Sequence, residues 1–281
     1  MEAQLEQIRN QQKETWNKFS PGWKKWDQFT MNFLKPMGDE IIHLIKPRKG
    51  ETILDVAAGT GEPGLTIAEM AGTGKVIITD LAEGMLDVAR ENASSRHIEN
   101  VETIACDASE LPFEDETFDA ISCRMGFMFF PDMEMAAKEL VRVLKQGGRV
   151  AASIWNVPEK NLWVTAMTST INKNMQLQPP PPEAPGIFRC AKQGLIAGLF
   201  KKAGLKNIFE EEINGKLKFD SANTFWGFHT EVAAPVVAAL SKADQPMRDK
   251  IKKEVFETID QKYPDGNIEM DYSSIIIYGE K

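Results

Sequence analysis

At 281 residues, 42% of them hydrophobic, the chain is long enough to bury a large core without covalent staples. Its 41 acidic residues outnumber 33 basic ones for a formal charge of −8, and short pairs such as Lys24 and Lys25 or Lys201 and Lys202 are no basic stripe, so a nucleic-acid partner is not expected. Three cysteines, Cys106, Cys123 and Cys190, give neither an even disulfide set nor metal-ligand spacing, so reduced, buried thiols are expected and a metal site is not.

The first residues, MEAQLEQIRNQQKETW, are polar and helix-forming, with no apolar targeting stretch. Trp16, Phe19, Trp23, Trp26, Phe29 and Phe33 follow at mostly three- or four-residue steps, which predicts an amphipathic helical cover over residues 1–47. No run of 18 uncharged apolar residues occurs, so no integral membrane segment is expected and the protein is placed in the cytoplasm.

From residue 48 to the end the text predicts one α/β domain. Strands are read at Thr52 to Val56, Lys75 to Thr79, Val101 to Ala105, Phe118 to Cys123 and Arg149 to Trp155, with helices between them. One helix begins near Ala82 and continues through Asn92; another spans Met133 to Leu144 and is ended by Gln146, Gly147 and Gly148. Residues 157–190 read as linker and cover, stiffened from Pro179 to Pro182. A helix over Lys192 to Ala203, stopped by Gly204, leads to a strand at Asn207 to Ile213. A mainly helical insertion over 219–265 then precedes a closing strand, Tyr272 to Tyr278.

The sharpest local feature is the text from Ile53 to Gly64, ILDVAAGTGEPG, a strand running into a glycine-rich turn. Gly59, Gly61 and Gly64 fit G-x-G-x-x-G, and Asp80 follows where a ribose-binding acid belongs, so a dinucleotide-binding dehydrogenase is one reading. Asp55 tilts the balance, because a carboxylate there repels a pyrophosphate and attracts an ammonium. Glu62 would crowd the same phosphates, and Asp107 adds an acid that an exocyclic amine can reach. A ligand with an amino-acid head, a ribose and an adenine uses all three acids, and S-adenosylmethionine (SAM) is such a ligand.

The segments DVAAGTGEPG, ITDLAEGMLDVAR, ACDASELPFEDETFDAISCRMGFMFF and ELVRVLKQGGRVAASIW, in that order, resemble the class I SAM-dependent methyltransferases, in the branch of the ubiquinone and menaquinone ring C-methyltransferases. The resemblance covers roughly residues 48–156. It implies a Rossmann-like, mostly parallel seven-stranded sheet with helices on both faces and a reversed last strand pair. It also implies cofactor contacts: Gly59, Thr60 and Gly61 under the methionine portion, Asp55 at its ammonium, Asp80 on the ribose hydroxyls, Leu81 and Met85 packed on ribose and adenine, and Asp107 with Ala108 at the adenine edge. Arg124 would face the region between cofactor and acceptor. The sequence departs from that branch at Glu62-Pro63-Gly64 and in the apolar run Phe127 to Phe130.

A sulfonium already activates its methyl group, so the protein is expected mainly to align acceptor and cofactor and exclude water. The acceptor is read as a small, apolar or aromatic molecule, C- or O-methylated, with Trp23, Met125, Phe129, Trp155 and Trp226 among its pocket walls. Of three histidines only His229 is placed to serve as a base. A SAM-binding protein without catalytic activity is the remaining reading. Oligomeric state is not legible.

Overall fold

The computed structural model describes all residues except Met1, Thr73, Pro179, Pro180 and Pro182. Most of the stiff segment expected at Pro179 to Pro182 therefore lies outside the described residues.

The chain opens with two helices, α1 (Glu2–Lys25) and α2 (Asp27–Ile45). Then come β1 (Thr52–Val56), α3 (Gly64–Ala71), β2 (Lys75–Asp80), α4 (Glu83–Ser95), β3 (Val101–Ala105), β4 (Phe118–Arg124), α5 (Met133–Val143) and β5 (Leu144–Trp155). The remainder is α6 (Leu162–Met175), α7 (Leu195–Ala203), β6 (Lys206–Phe219), α8 (Ala222–Val232), α9 (Ala234–Leu240), α10 (Gln245–Lys262) and β7 (Ile268–Glu280).

These strands form one sheet in the order β3-β2-β1-β4-β5-β7-β6. From β3 to β5 all pairings are parallel, whereas β7 runs antiparallel to both β5 and β6. The central strands are β-branched runs covered on both faces, as parallel strands must be: Ile53, Leu54 and Val56 in β1 and Val76, Ile77 and Ile78 in β2 are buried. β1 is the turning point of the topology, since the chain winds to β2 and β3 on one side and to β4 and β5 on the other. Such a switch opens a crevice at the carboxyl ends of the adjacent strands, here β1 and β4.

The cover is anchored by α2, which buries Phe33, Leu34, Met37, Ile41, Ile42 and Ile45 at helical spacing against β4 and β5. Each such side chain contributes roughly 1.5–3 kcal/mol of transfer free energy. α1 lies across α4 and α8, held by Asn17, whose side-chain oxygen accepts from the Gly84 N–H (2.8 Å), and, just past its end, by Trp26, whose Nε1–H donates to Glu231 (2.8 Å).

The structure moves several expected boundaries. β5 begins at Leu144, five residues before the expected start, because Gly147 and Gly148 exchange backbone hydrogen bonds with Lys281 at the end of β7. β6 extends past Ile213 to Phe219 as an edge strand paired with β7 to its last residue. The stretch read as linker and cover contains α6, with Trp163, Val164, Met167 and Ile171 buried. Gly204 stops α7 at φ +108°, as its sequence position implied. No helix among the described residues is long and apolar enough to cross a membrane.

Candidate functional site

A cavity lies outside the carboxyl ends of β1, β2 and β4 and beneath α1 and α2.

The glycine turn forms one wall. Ala57 (φ +53°), Gly59 (+59°) and Gly61 (+111°) all lie in the left-handed region. Gly61 is tightest, because a Cβ there would stand 2.8 Å from Leu65 Cδ1. Ala57, Ala58 and Gly59 face the cavity; Thr60 and Gly61 do not, and they shape the turn from behind. Asp55 does not face it either. Fully buried, its Oδ1 accepts from the Ser122 hydroxyl (2.7 Å) and its Oδ2 from the Gly64 N–H (2.8 Å). Burial pushes its carboxyl up to about 7, against the pull of those two hydrogen bonds. Direct capture of an ammonium by Asp55 is not what this geometry offers; the residue pins the turn to β1 and β4.

Asp80, the last residue of β2, does line the cavity. The Gly59 N–H donates to its Oδ2 (3.0 Å) and the Ala82 N–H to its Oδ1 (2.9 Å), so the carboxylate is fixed in direction with lone pairs to spare. Burial raises its pKa and the backbone donors oppose that. Leu81 and Met85 flank it. Beyond β3, Asp107 and Ala108 complete the acidic strip. Asp107 Oδ1 accepts from the Ser109 N–H and hydroxyl (2.8 Å each), and its Oδ2 lies 2.5 Å from Arg9 Nε of α1.

On the other side of the turn the walls become aromatic. Trp23, Met125, Phe129 and Trp155 line the cavity as the sequence suggested, with Arg124 at the end of β4. Sequence reading did not single out Gln12, Thr30 or Trp163, which line it too. Trp163 stood in text read as linker, and no local pattern marks it. Trp226 points elsewhere, packing edge-on against Phe256 with the Lys252 ammonium 5.9 Å from its ring. His229 also lies outside the cavity wall: it is fully buried among Phe225, Phe219 and Trp163, with Nδ1 2.8 Å from the Phe225 carbonyl oxygen and Nε2 without a partner. Burial pushes its pKa down to about 4.

A sheet with this switch point, a glycine turn and two acids ending successive strands define a nucleoside-cofactor site on a Rossmann-like fold. The description "ubiE/COQ5 methyltransferase family" matches residues 25–170. A demethylmenaquinone methyltransferase of Bacillus licheniformis is 31% identical over 210 residues, covering 68% of this chain and 87% of that protein. One from Staphylococcus aureus is 44% identical over 104 residues, covering 37% of this chain and 42% of the relative. Among solved structures, the YcgJ protein of Bacillus subtilis superposes with a TM-score of 0.60 at 24% identity, covering 87% of this chain and 97% of that one. A Haemonchus contortus phosphoethanolamine N-methyltransferase 2, in complex with S-adenosyl-L-methionine, gives 0.53 at 21% identity, covering 88% and 52%; both likenesses concern the fold. The chain belongs to the ubiE/COQ5 methyltransferase family. It is a SAM-dependent methyltransferase, and the dehydrogenase reading of its glycine turn falls away.

Proposed function

We propose that this enzyme methylates a small hydroxy-aromatic or quinone-derived acceptor, with a ring carbon as the favoured target. The observation that carries this reading is one continuous cavity that joins an acidic strip to an aromatic chamber of Trp16, Phe33, Trp155, Trp163 and Phe228. The names of the relatives, demethylmenaquinone methyltransferases, agree with such an acceptor.

The residues fit the cofactor. Asp80, held by two backbone donors, accepts hydrogen bonds from ribose hydroxyls; Asp107 and Ala108 read the adenine edge; Leu81 and Met85 pack on the nucleoside. Gly59 admits the ligand to the turn without a Cβ in the way. Asp55, Thr60 and Gly61 act indirectly, by fixing the turn's shape. When bound, SAM supplies a methyl group on a cationic sulfur that keeps the electron pair of the broken bond. The chain's own contribution is to hold the acceptor in line and to exclude water beneath α1 and α2. Trp23, Met125, Phe129 and Trp155 serve as acceptor walls; Trp226 and His229, which do not reach the cavity, are given no part in the reaction.

We place residues 1–47 as the cover over a single domain formed by 48–281. The three unpaired cysteines suit a reducing compartment, the cytoplasm. Calorimetric titration with SAM, S-adenosylhomocysteine and NAD tests the cofactor half of the proposal: heat with the two sulfur compounds and none with NAD is expected, and heat with NAD alone would overturn it.

A further inference from the structure

Cavity-lining side chains that could take a proton are held by neighbours, and the lone pairs that Asp80 keeps free are the ones assigned above to the ribose. Glu62 is held by Arg96 and the Thr66 N–H, Asp80 by the Gly59 and Ala82 N–H groups, and Asp107 by Ser109 and Arg9. Burial pushes the Cys106 thiol up to about 12, and among the described residues no histidine lines the cavity. An acceptor that must become electron-rich finds no free base here.

It does find a cation. Arg124 is buried, lines the cavity and has no carboxylate within ion-pair reach among the described residues. Its one hydrogen bond there runs from Nη2 to the Met31 sulfur (3.2 Å). The guanidinium thus reaches α2 beside Thr30 and passes close to Gly38, where a Cβ would lie in ordinary contact 3.7 Å from Nη1. Two other cavity-lining residues carry buried polar atoms with no partner, Trp23 at Nε1 and Thr30 at its hydroxyl oxygen. Asp27 on α2, Glu62 on the turn and Asp55 on β1 act on Arg124 only at longer range. A buried guanidinium left this way is costly unless a ligand supplies the anion.

We propose that Arg124, assisted by the Thr30 hydroxyl and the Trp23 Nε1–H, binds the ionised oxygen of a phenolic or enolic acceptor and so takes the place of a general base. The proposal rests on the acceptor reading above and narrows it to acidic hydroxy-aromatics. The hydroxyl proton passes to water as the acceptor binds. The electron pair of the anion then forms the new bond to the methyl group, at oxygen or at a conjugated ring carbon, which in the second case afterwards loses its own proton to water.

The test uses 4-nitrophenol, whose anion absorbs visible light, titrated with pH on the full-length protein saturated with S-adenosylhomocysteine. That cofactor product has an uncharged sulfur, so no sulfonium contributes. The wild-type site is expected to favour the anion by about tenfold or more, a lowering of the probe's pKa by one unit. Arg124→Gln abolishes the preference while S-adenosylhomocysteine affinity stays within about threefold, and Arg124→Lys restores part of it. Should the Gln variant not fold, Thr30→Val decides, with an expected loss of about threefold or more in anion affinity. The proposal is overturned if the wild-type site shows no preference, or if the variants keep it. It is equally overturned if Arg124→Gln weakens S-adenosylhomocysteine about tenfold with the probe's ionisation unmoved, the cation then holding the cofactor carboxylate. Because cofactor affinity is read separately, failure of the methyltransferase reading itself remains distinguishable.

Discussion

Asp80 illustrates how much a single carboxylate gains from its setting. Two backbone donors fix its direction, and its free lone pairs face the cavity. Asp80→Ala is therefore expected to weaken SAM binding by roughly 1–3 kcal/mol, measured by calorimetry, through loss of charge-assisted hydrogen bonds; unchanged affinity would remove Asp80 from the site. Asp55 and His229 are both fully buried but titrate with opposite consequences. His229 has its pKa lowered from 6.5 to about 4, so its stabilisation is complete above 6.5 and is lost as pH falls toward 4. Asp55 has its pKa raised from 3.8 to about 7, so its stabilisation is complete below 3.8 and is lost as pH rises toward 7. Between these limits the two slopes, each about 1.4 kcal/mol per pH unit at most, oppose one another. Denaturant melts across pH 4.5–6.5 should show, relative to the wild-type profile, a more negative slope of stability against pH in His229→Phe and a more positive one in Asp55→Asn. Parallel behaviour of the two variants would contradict these assignments.

At the level of elements, legibility followed from chemistry. β1 fell where its apolar text predicts it, because a strand covered on both faces admits little else; β3, a half-buried edge strand, also fell at its expected bounds. β6 was legible only in its first half, since its exposed edge tolerates Glu210, Glu211, Lys216 and Lys218, and its length is set by pairing with β7. α6 was missed because its anchor is tertiary. Asn161, fully buried, donates to the carbonyl oxygens of Asn156, Val157 and Ser273 and accepts from the Trp163 Nε1–H (3.1 Å), contacts that sequence spacing cannot reveal. Asn161→Leu should leave the Asn156 carbonyl oxygen and the Trp163 indole N–H unpaired, while the Val157 and Ser273 carbonyls keep the Lys160 and Asn156 backbone donors; the cost should be about 1–3 kcal/mol in a urea melt, with a shift in tryptophan fluorescence. The glycine turn was readable as a turn, but its division of labour was not. Only the folded chain shows Gly59 facing the cavity and Gly61 behind it. Gly61→Ala, placed at φ +111° against Leu65, is expected to cost about 1–3 kcal/mol of thermal stability.

Across the whole molecule, the order of strands puts the acids of β2 and β3 and the cation of β4 around one crevice, and the N-terminal helices roof it with tryptophan. The cofactor side was legible because its residues follow strand ends in a fixed order. The acceptor side draws on α1, α2, α6 and α8, far apart in the chain, so sequence could name aromatic candidates without sorting Trp155 from Trp226. Methyl transfer to an aromatic ring is the claim that unites both sides. Its most direct test is incubation of the protein with methyl-deuterated SAM and a reduced 2-prenyl-naphthoquinone, followed by mass spectrometry of the extracted product. A deuterated methyl group on a ring carbon, with an equal yield of S-adenosylhomocysteine, is the predicted result; SAM that binds but is consumed with neither this acceptor nor any simpler phenol would contradict the account.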